Sequence, residues 1–114
     1  MANYKKLIVW QKSDELAFQV YLLTEQFPKK EMFGITSQIR RATLSVPTNI
    51  VEGFSRKTKK DFSHFLDISL GSLAETEYLL EFSKRFGYVK SEIKDLEALL
   101  DETGKLLWSF QKSL

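Results

Sequence analysis

Residues 58–87 read TKKDFSHFLDISLGSLAETEYLLEFSKRFG, and the fold turns on whether this run is one helix. Thr58 with Asp61 three residues on is a variant capping box, aspartate standing in the usual glutamate place. Gly87 is a natural left-handed stop, and Lys84 and Arg85 fall in the last turn, where the helix dipole favours cations. The spacing predicts a helix from about Lys59 to Phe86, roughly 28 residues and 42 Å long. It carries two apolar stripes, Phe62, Leu66, Leu73 and Leu80 on one side and Phe65, Ile68, Leu79, Phe82 and Phe86 on another. Two stripes imply two partners. The second partner is either another copy of the chain, since a monomer rarely exposes a large apolar patch, or the rest of a small bundle that buries its longest helix on most sides.

The flanking segments supply that bundle. Leu16, Val20, Leu23 and Phe27 recur at spacings of four, three and four, which predicts a helix beginning near Val9 or Ser13 and ending at Phe27-Pro28. A second helix is expected from about Phe33 to Gly53, with Ile35, Ile39, Ala42, Val46 and Ile50 on one stripe. Pro47 lies inside it and predicts a kink near Thr43 to Pro47, or two short helices meeting at Ser45-Val46. The last helix is expected to start at Ser91 as N-cap, with Glu92 in its first turn and a seam of Ile93, Leu96, Leu100, Thr103, Leu107, Phe110 and Leu114. Gly104 inside that seam weakens the helix and permits close helix approach. Four amphipathic helices with short connections predict an all-α, antiparallel up-down-up-down four-helix bundle.

Composition agrees. The chain has 114 residues, 43% of them hydrophobic, with 9 Phe, 4 Tyr and 2 Trp but only 5 Gly and 2 Pro. That is one domain over residues 1–114, too poor in turn formers for an all-β fold. Without cysteine and with a single histidine, it has no disulfide, no cysteine nucleophile and no multi-histidine zinc site. Met1 to Glu15 holds only four consecutive apolar residues, short of a signal-peptide core and of a membrane span, so a cytoplasmic protein without membrane attachment is expected. The net charge of +2 conceals a division. Residues 1–60 carry 11 Lys/Arg against 5 Asp/Glu, and residues 61–114 carry 6 against 10. Such a split suits either complementary halves or a basic face turned to a polyanion.

Three polar constellations stand out. Gln38, Arg41, Ser45, Asn49 and Glu52 share one side of the second helix and form either a ligand or subunit-contact strip or an ordinary solvated face. The adjacent Arg40 and Arg41 diverge by about 100° on a helix, so one of them meets the apolar boundary, and Glu31, Glu52 and Glu75 are candidate carboxylate partners. Arg56-Lys57-Thr58-Lys59-Lys60 places four cations at a helix start, where they oppose the dipole; they suit phosphate, or are simply solubilising. Asp61 and His64 have the spacing of a bundle metal ligand pair, but a second pair is missing, and no metal or cofactor is expected. Glu75, Glu77 and Glu81 suit a solvated face or arginine partners better than acid–base catalysis. Neither a phosphate-binding glycine loop nor a serine nucleophile motif is present.

The ordered string Val9-Trp10-Gln11-Lys12, Phe27-Pro28, Glu31, Phe33-Gly34, Ser37-Gln38-Ile39-Arg40-Arg41-Ala42, Ser45-Val46-Pro47, Asn49-Ile50, Glu52-Gly53, Arg56, Asp61-Phe62, Phe65-Leu66 and Gly71-Ser72-Leu73-Ala74-Glu75 closely resembles the 23S rRNA intervening sequence proteins, the S23 family. The likeness covers the first two-thirds of the chain, and the last helix matches only in its apolar pattern. Departures are Ile35 where leucine is usual, and Val51 and Ser69 where alanine is usual. The resemblance implies a left-handed antiparallel bundle that assembles into a ring, with a homopentamer as the expected state, a bacterial source and no known enzymatic activity. In architecture such proteins are similar to the basic pentameric accessory protein of diversity-generating retroelements, which engages nucleic acid and a reverse transcriptase. The family's motif positions fall on Gln38, Arg40, Arg41, Ser45, Asn49, Glu52, Gly53, Arg56 and Glu75.

The expectation is therefore a non-enzymatic ring that binds structured RNA or other nucleic acid through Arg56, Lys57, Lys59 and Lys60, with Arg40 and Arg41 added if exposed. The sequence pI of about 8.8 is low for a dedicated nucleic-acid binder. The alternative is a protein-interaction scaffold in which the strip Gln38, Ser45, Asn49, Glu52 and Glu75 contacts a subunit or partner protein. An enzyme is disfavoured because no nucleophile, metal set or cofactor loop is in view.

Overall fold

The computed structural model describes residues 3–114. Among them are four α-helices, α1 (Ile8–Thr24), α2 (Ile35–Phe54), α3 (Lys59–Arg85) and α4 (Lys94–Lys112), with short 3-10 turns at Asn3–Lys6 and Lys29–Glu31 and no strand. Consecutive helices pack side by side, α4 returns against α1, and the two diagonal pairs bring no Cα atoms within 8 Å of each other. Side-chain pairs show the directions. Ser69 meets Val46 while Glu75 meets Gln38, so residue numbers rise along α3 as they fall along α2. Gln111 near the end of α4 reaches Ser63 and Asp67 near the start of α3, and Arg40 early in α2 reaches Tyr21 and Thr24 late in α1. The result is a bundle of 43 × 26 × 21 Å whose long axis is set by α3.

The core is built from the expected stripes. Leu16, Val20, Ile39, Val46, Ile50, Leu66 and Leu107 have no exposure at all. Hydroxyls are buried with them, Ser13, Thr76, Ser83 and Thr103 each donating to the carbonyl four residues back in the same helix, which satisfies a buried donor without a neighbour. Thr58 caps α3, with the Asp61 amide donating to Thr58 Oγ1 at 3.1 Å, which is the N-cap half of the expected capping box. At the other end Gly87 sits at φ +88°, and the Tyr88 and Gly87 amides donate to the Ser83 and Lys84 carbonyls at 2.9 and 3.1 Å, closing a Schellman motif.

Four local expectations need correction. α1 stops at Thr24, because the chain tightens there into bonds from the Gln26 and Phe27 amides to Leu23 and Thr24; Phe27 stays buried, but against Tyr88, 5.7 Å away between ring centres. α4 starts at Lys94 with Ile93 as its N-cap, since Ile93 is drawn into the core and leaves Ser91 and Glu92 exposed ahead of the helix. α2 is one continuous helix through Pro47, so the alternative of two short helices meeting at Ser45-Val46 does not form. Around the proline, Thr48 Oγ1 donates to the Leu44 carbonyl, Asn49 Nδ2 to the Ser45 carbonyl and Ser69 Oγ of α3 to the Val46 carbonyl, at 2.7, 2.8 and 2.8 Å; none of these reaches the Thr43 carbonyl, which is the one that loses its amide donor to Pro47, and it is the packing of α2 against α1 and α3 that favours the continuous helix. Gly53 is buried within the last turn of α2 and acts as a notch for α3, not as a break.

The second stripe of α3 also divides. Leu79 belongs to the core, while Ile68, Phe82 and Phe86 stay in water together with Tyr78. α1 shows a matching exposed set, Ile8, Phe18 and Leu22. Because α1 and α3 are diagonal in the bundle, these two apolar stripes lie on opposite sides of the molecule.

Candidate functional site

The polar strip of α2 faces α3 and is not merely solvated. Ser45 Oγ accepts from Ser72 Oγ at 2.9 Å and from Asn49 Nδ2 at 2.9 Å. Gln38 Nε2 donates to Glu75 Oε2 at a long 3.4 Å. Facing positions here are small, Ala42 and Ser45 on α2 and Ser72 on α3, so the helices leave between them an open cleft of about 690 Å³. Arg41, Gln38, Ser37 and Glu75 supply its polar walls, and Phe33 stands at its mouth. Four of the motif positions, Gln38, Arg41, Ser45 and Glu75, thus meet in one cavity. Of the remaining ones, Gly53 gives room for Phe62, and Glu52 pairs with Arg56 across one turn at 3.3 Å.

The two neighbouring arginines have opposite fates. Arg40 is half-buried against α1, with Nε donating to Thr24 Oγ1 at 2.7 Å, Nη2 to the Tyr21 carbonyl at 3.3 Å, and the guanidinium over the Tyr21 ring at 4.8 Å. Neither Arg40 nor Arg41 takes a carboxylate partner among the described residues. Arg40 is instead satisfied by neutral acceptors and an aromatic face, and Arg41 stands exposed beside the cleft. Glu31, a candidate partner for them, is used elsewhere: Oε2 accepts from Tyr88 O–H at 2.6 Å and Oε1 from the Ile35 amide at 3.3 Å. The Tyr88 hydroxyl, then the Ile35 N–H, hold the Glu31 carboxyl below its ordinary pKa, and the carboxylate in turn raises that of Tyr88.

The basic run occupies the turn between α2 and α3. Arg56, Lys57, Lys59 and Lys60 are all exposed. Arg56 is oriented by Glu52 and lies 4.7 Å over the Phe65 ring; Lys57, Lys59 and Lys60 make no ion pair among the described residues. The turn sits at the α3 N-terminus, remote along the bundle from Phe33 at the other end of α2. His64 is exposed and set edge-on against Phe65, and no three metal-capable side chains gather among the described residues. Glu77 and Glu81 are exposed.

Periodicity had not singled out Phe33, Ser72 or Tyr88. Phe33 sits outside the helical stripe, and its 93% exposure is a property of the folded surface. Ser72 belongs to the cleft only through the pairing of α2 with α3. Tyr88 follows the helix stop, and its tie to Glu31 spans 57 residues of chain, so no local pattern reveals it.

Four amphipathic helices, a polar cleft between two of them and a cationic turn define a small helical-bundle protein. The chain belongs to the family of 23S rRNA-intervening sequence proteins, whose family model it matches over residues 5–109. It is also similar, at 31% identity and a TM-score of 0.80 over 92% of this chain and 99% of the other, to a crystallised protein of unknown function from the S23 ribosomal protein family of Bacteroides thetaiotaomicron. No sequence among curated proteins matches. No helix among the described residues is long and apolar enough to cross a membrane.

Proposed function

We propose that this protein is a non-enzymatic, cytoplasmic, ring-forming binder of structured RNA or other nucleic acid, with a homopentamer as the working unit. The observation that carries the reading is the turn at Arg56–Lys60, where Lys57, Lys59 and Lys60 are exposed and unpaired among the described residues at the positive end of a long helix. Cations in that position weaken the helix they start, and a phosphate there would gain both the charges and the free amides. The stripes support the ring: Ile8, Phe18 and Leu22 on one side and Ile68, Tyr78, Phe82 and Phe86 on the other suit a head-to-tail contact, which closes into a ring when the rotation per copy allows. A ring repeats the basic turn once per copy, and repetition raises avidity without stronger single contacts.

A protein-interaction scaffold is the second reading, favoured by the same exposed aromatics if a different protein covers them. Light scattering coupled to size exclusion, with and without a structured ribosomal RNA fragment, separates the two. The proposal expects a mass near five chains that rises on adding RNA, an affinity that falls steeply with salt, and a loss of about tenfold or more in Lys57→Glu/Lys59→Glu. A five-chain mass indifferent to RNA at low salt leaves the scaffold, and a monomer of 13.3 kDa overturns the ring.

A further inference from the structure

The cleft between α2 and α3 holds a combination that neither helix packing nor solubility explains. Phe33 is 93% exposed, yet its backbone is pinned. Gly34 N–H donates to the Glu31 carbonyl at 2.9 Å, and the Glu31 carboxylate holds both the first amide of α2 and the Tyr88 hydroxyl. An aromatic ring in water on a fixed stretch of chain is a platform. Beside it stand an exposed guanidinium without an ion pair, Arg41, and a carboxylate, Glu75, whose Oε1 accepts no bond among the described residues and whose Oε2 holds only the long contact to Gln38. The volume of about 690 Å³ is that of a small-molecule pocket.

We propose that this cleft binds a guanine nucleotide, free or as an unpaired base of an RNA. The base stacks on Phe33, the Glu75 carboxylate accepts from the adjacent N1–H and 2-amino group of guanine, and Arg41 meets the phosphate. Each part uses a recognised mode of nucleotide recognition: stacking on an exposed aromatic face, hydrogen bonding to the Watson–Crick edge of a base out of its helix, and guanidinium pairing with phosphate. A carboxylate cannot serve adenine in the same way, because the corresponding ring nitrogen of adenine is itself an acceptor. The inference rests on the nucleic-acid reading above only for the source of the base. It uses a different face from the basic turn.

The test is calorimetric titration of the full-length protein with the four ribonucleoside 5′-monophosphates, its chain count followed by light scattering. Guanosine monophosphate is expected to bind at least about tenfold tighter than adenosine monophosphate. Glu75→Gln should abolish that preference, Phe33→Ser and Arg41→Ala should each weaken binding several-fold, and Lys105→Ala, on α4 and outside both the cleft and the basic turn, should leave it unchanged. All four side chains are exposed, so the variants should keep the helical spectrum of the parent. Absence of binding by every nucleotide, or binding indifferent to the three cleft variants, overturns the proposal. So does a cleft variant that alters the number of chains without altering nucleotide binding, which would assign the cleft to a second copy. If RNA binds and no mononucleotide does, the pocket falls and the basic turn stands; if guanosine monophosphate binds and RNA does not, the pocket stands and the RNA reading falls.

Discussion

The α2–α3 seam and the α3–α4 seam share a helix and are built on different principles. Along α2–α3 the helices make the most extensive pairing in the molecule, and polar side chains tie one backbone to the other: Ser69 to the Val46 carbonyl, Ser72 to Ser45, Gln38 to Glu75. Near its end Phe62 fills the space left by Gly53, so closely that a Cβ there would lie 2.7 Å from the ring and 3.0 Å from Phe65 Cβ. Along α3–α4 the pairing is the thinnest of the four, fastened by Gln111 at one end and by the Lys84–Glu97 pair at the other. An open groove of about 520 Å³ lined by Leu70, Leu73, Leu100 and Trp108 runs between. Apolar pattern alone holds two helices together. Directional bonds and a shaped notch set their register, and the motif positions cluster where register is set.

That contrast can be broken at graded cost. Leu66→Ala, in a fully buried site on α3, should cost about 2–5 kcal/mol in urea denaturation. Gly53→Ala should cost about 1–3 kcal/mol, because ring and backbone on both sides must shift to admit a methyl group. Ser69→Ala, which strips a donor from the carbonyl beside Pro47, should cost about 0.5–1.5 kcal/mol. Gly104→Ala sharpens the comparison: its added Cβ meets only the Leu73 Cδ2 methyl, at 3.3 Å, and that methyl can yield, so the gain of up to about 1 kcal/mol in helix propensity should leave stability unchanged or raised. A Gly104→Ala loss as large as that of Gly53→Ala would show that both seams are equally tight.

The smallest effect concerns the Glu31–Tyr88 tie that pins the start of α2. The Glu31 pKa is lowered on folding, first by the Tyr88 hydroxyl and then by the Ile35 amide. Its contribution is therefore present above the unfolded value of about 4.3 and lost as pH falls through the lower folded value. Tyr88 is shifted upward by the same bond, so its share is kept below about pH 10 and lost as pH rises through the raised folded value. Thermal melts of Tyr88→Phe should show a lower Tm than the parent near neutrality and a smaller loss on acidification. Equal acid slopes in the two proteins would remove Glu31 as the source.

Much of this was legible in the chain. The caps at Thr58 and Gly87, the core stripes of the four helices and the scarcity of glycine and proline are local signals, and they gave the four helices in order, though with shifted ends in α1 and α4. What went astray went astray for one reason. Pro47 allowed two short helices because the packing of α3 on α2, with Ser69 donating to the Val46 carbonyl, arises only on folding. Ser91 looked like a cap because the burial of Ile93, which decides where α4 begins, depends on the other helices. Arg40 and Arg41 diverge as read, but the one at the apolar boundary looked in want of a carboxylate, and the α1 surface took Arg40 with a hydroxyl, a carbonyl and a ring.

By itself, then, the sequence determined four amphipathic helices, their order, the basic turn and the family, because periodicity, capping and composition act over one or two helical turns. The tertiary structure alone decided that Gln38, Arg41, Ser45 and Glu75 share a cavity with Phe33, that Gly53 is a notch, and that α1 and α3 show apolar stripes on opposite sides. Those are facts of which residues face one another across tens of positions, and only the packing of one helix on another brings such residues together.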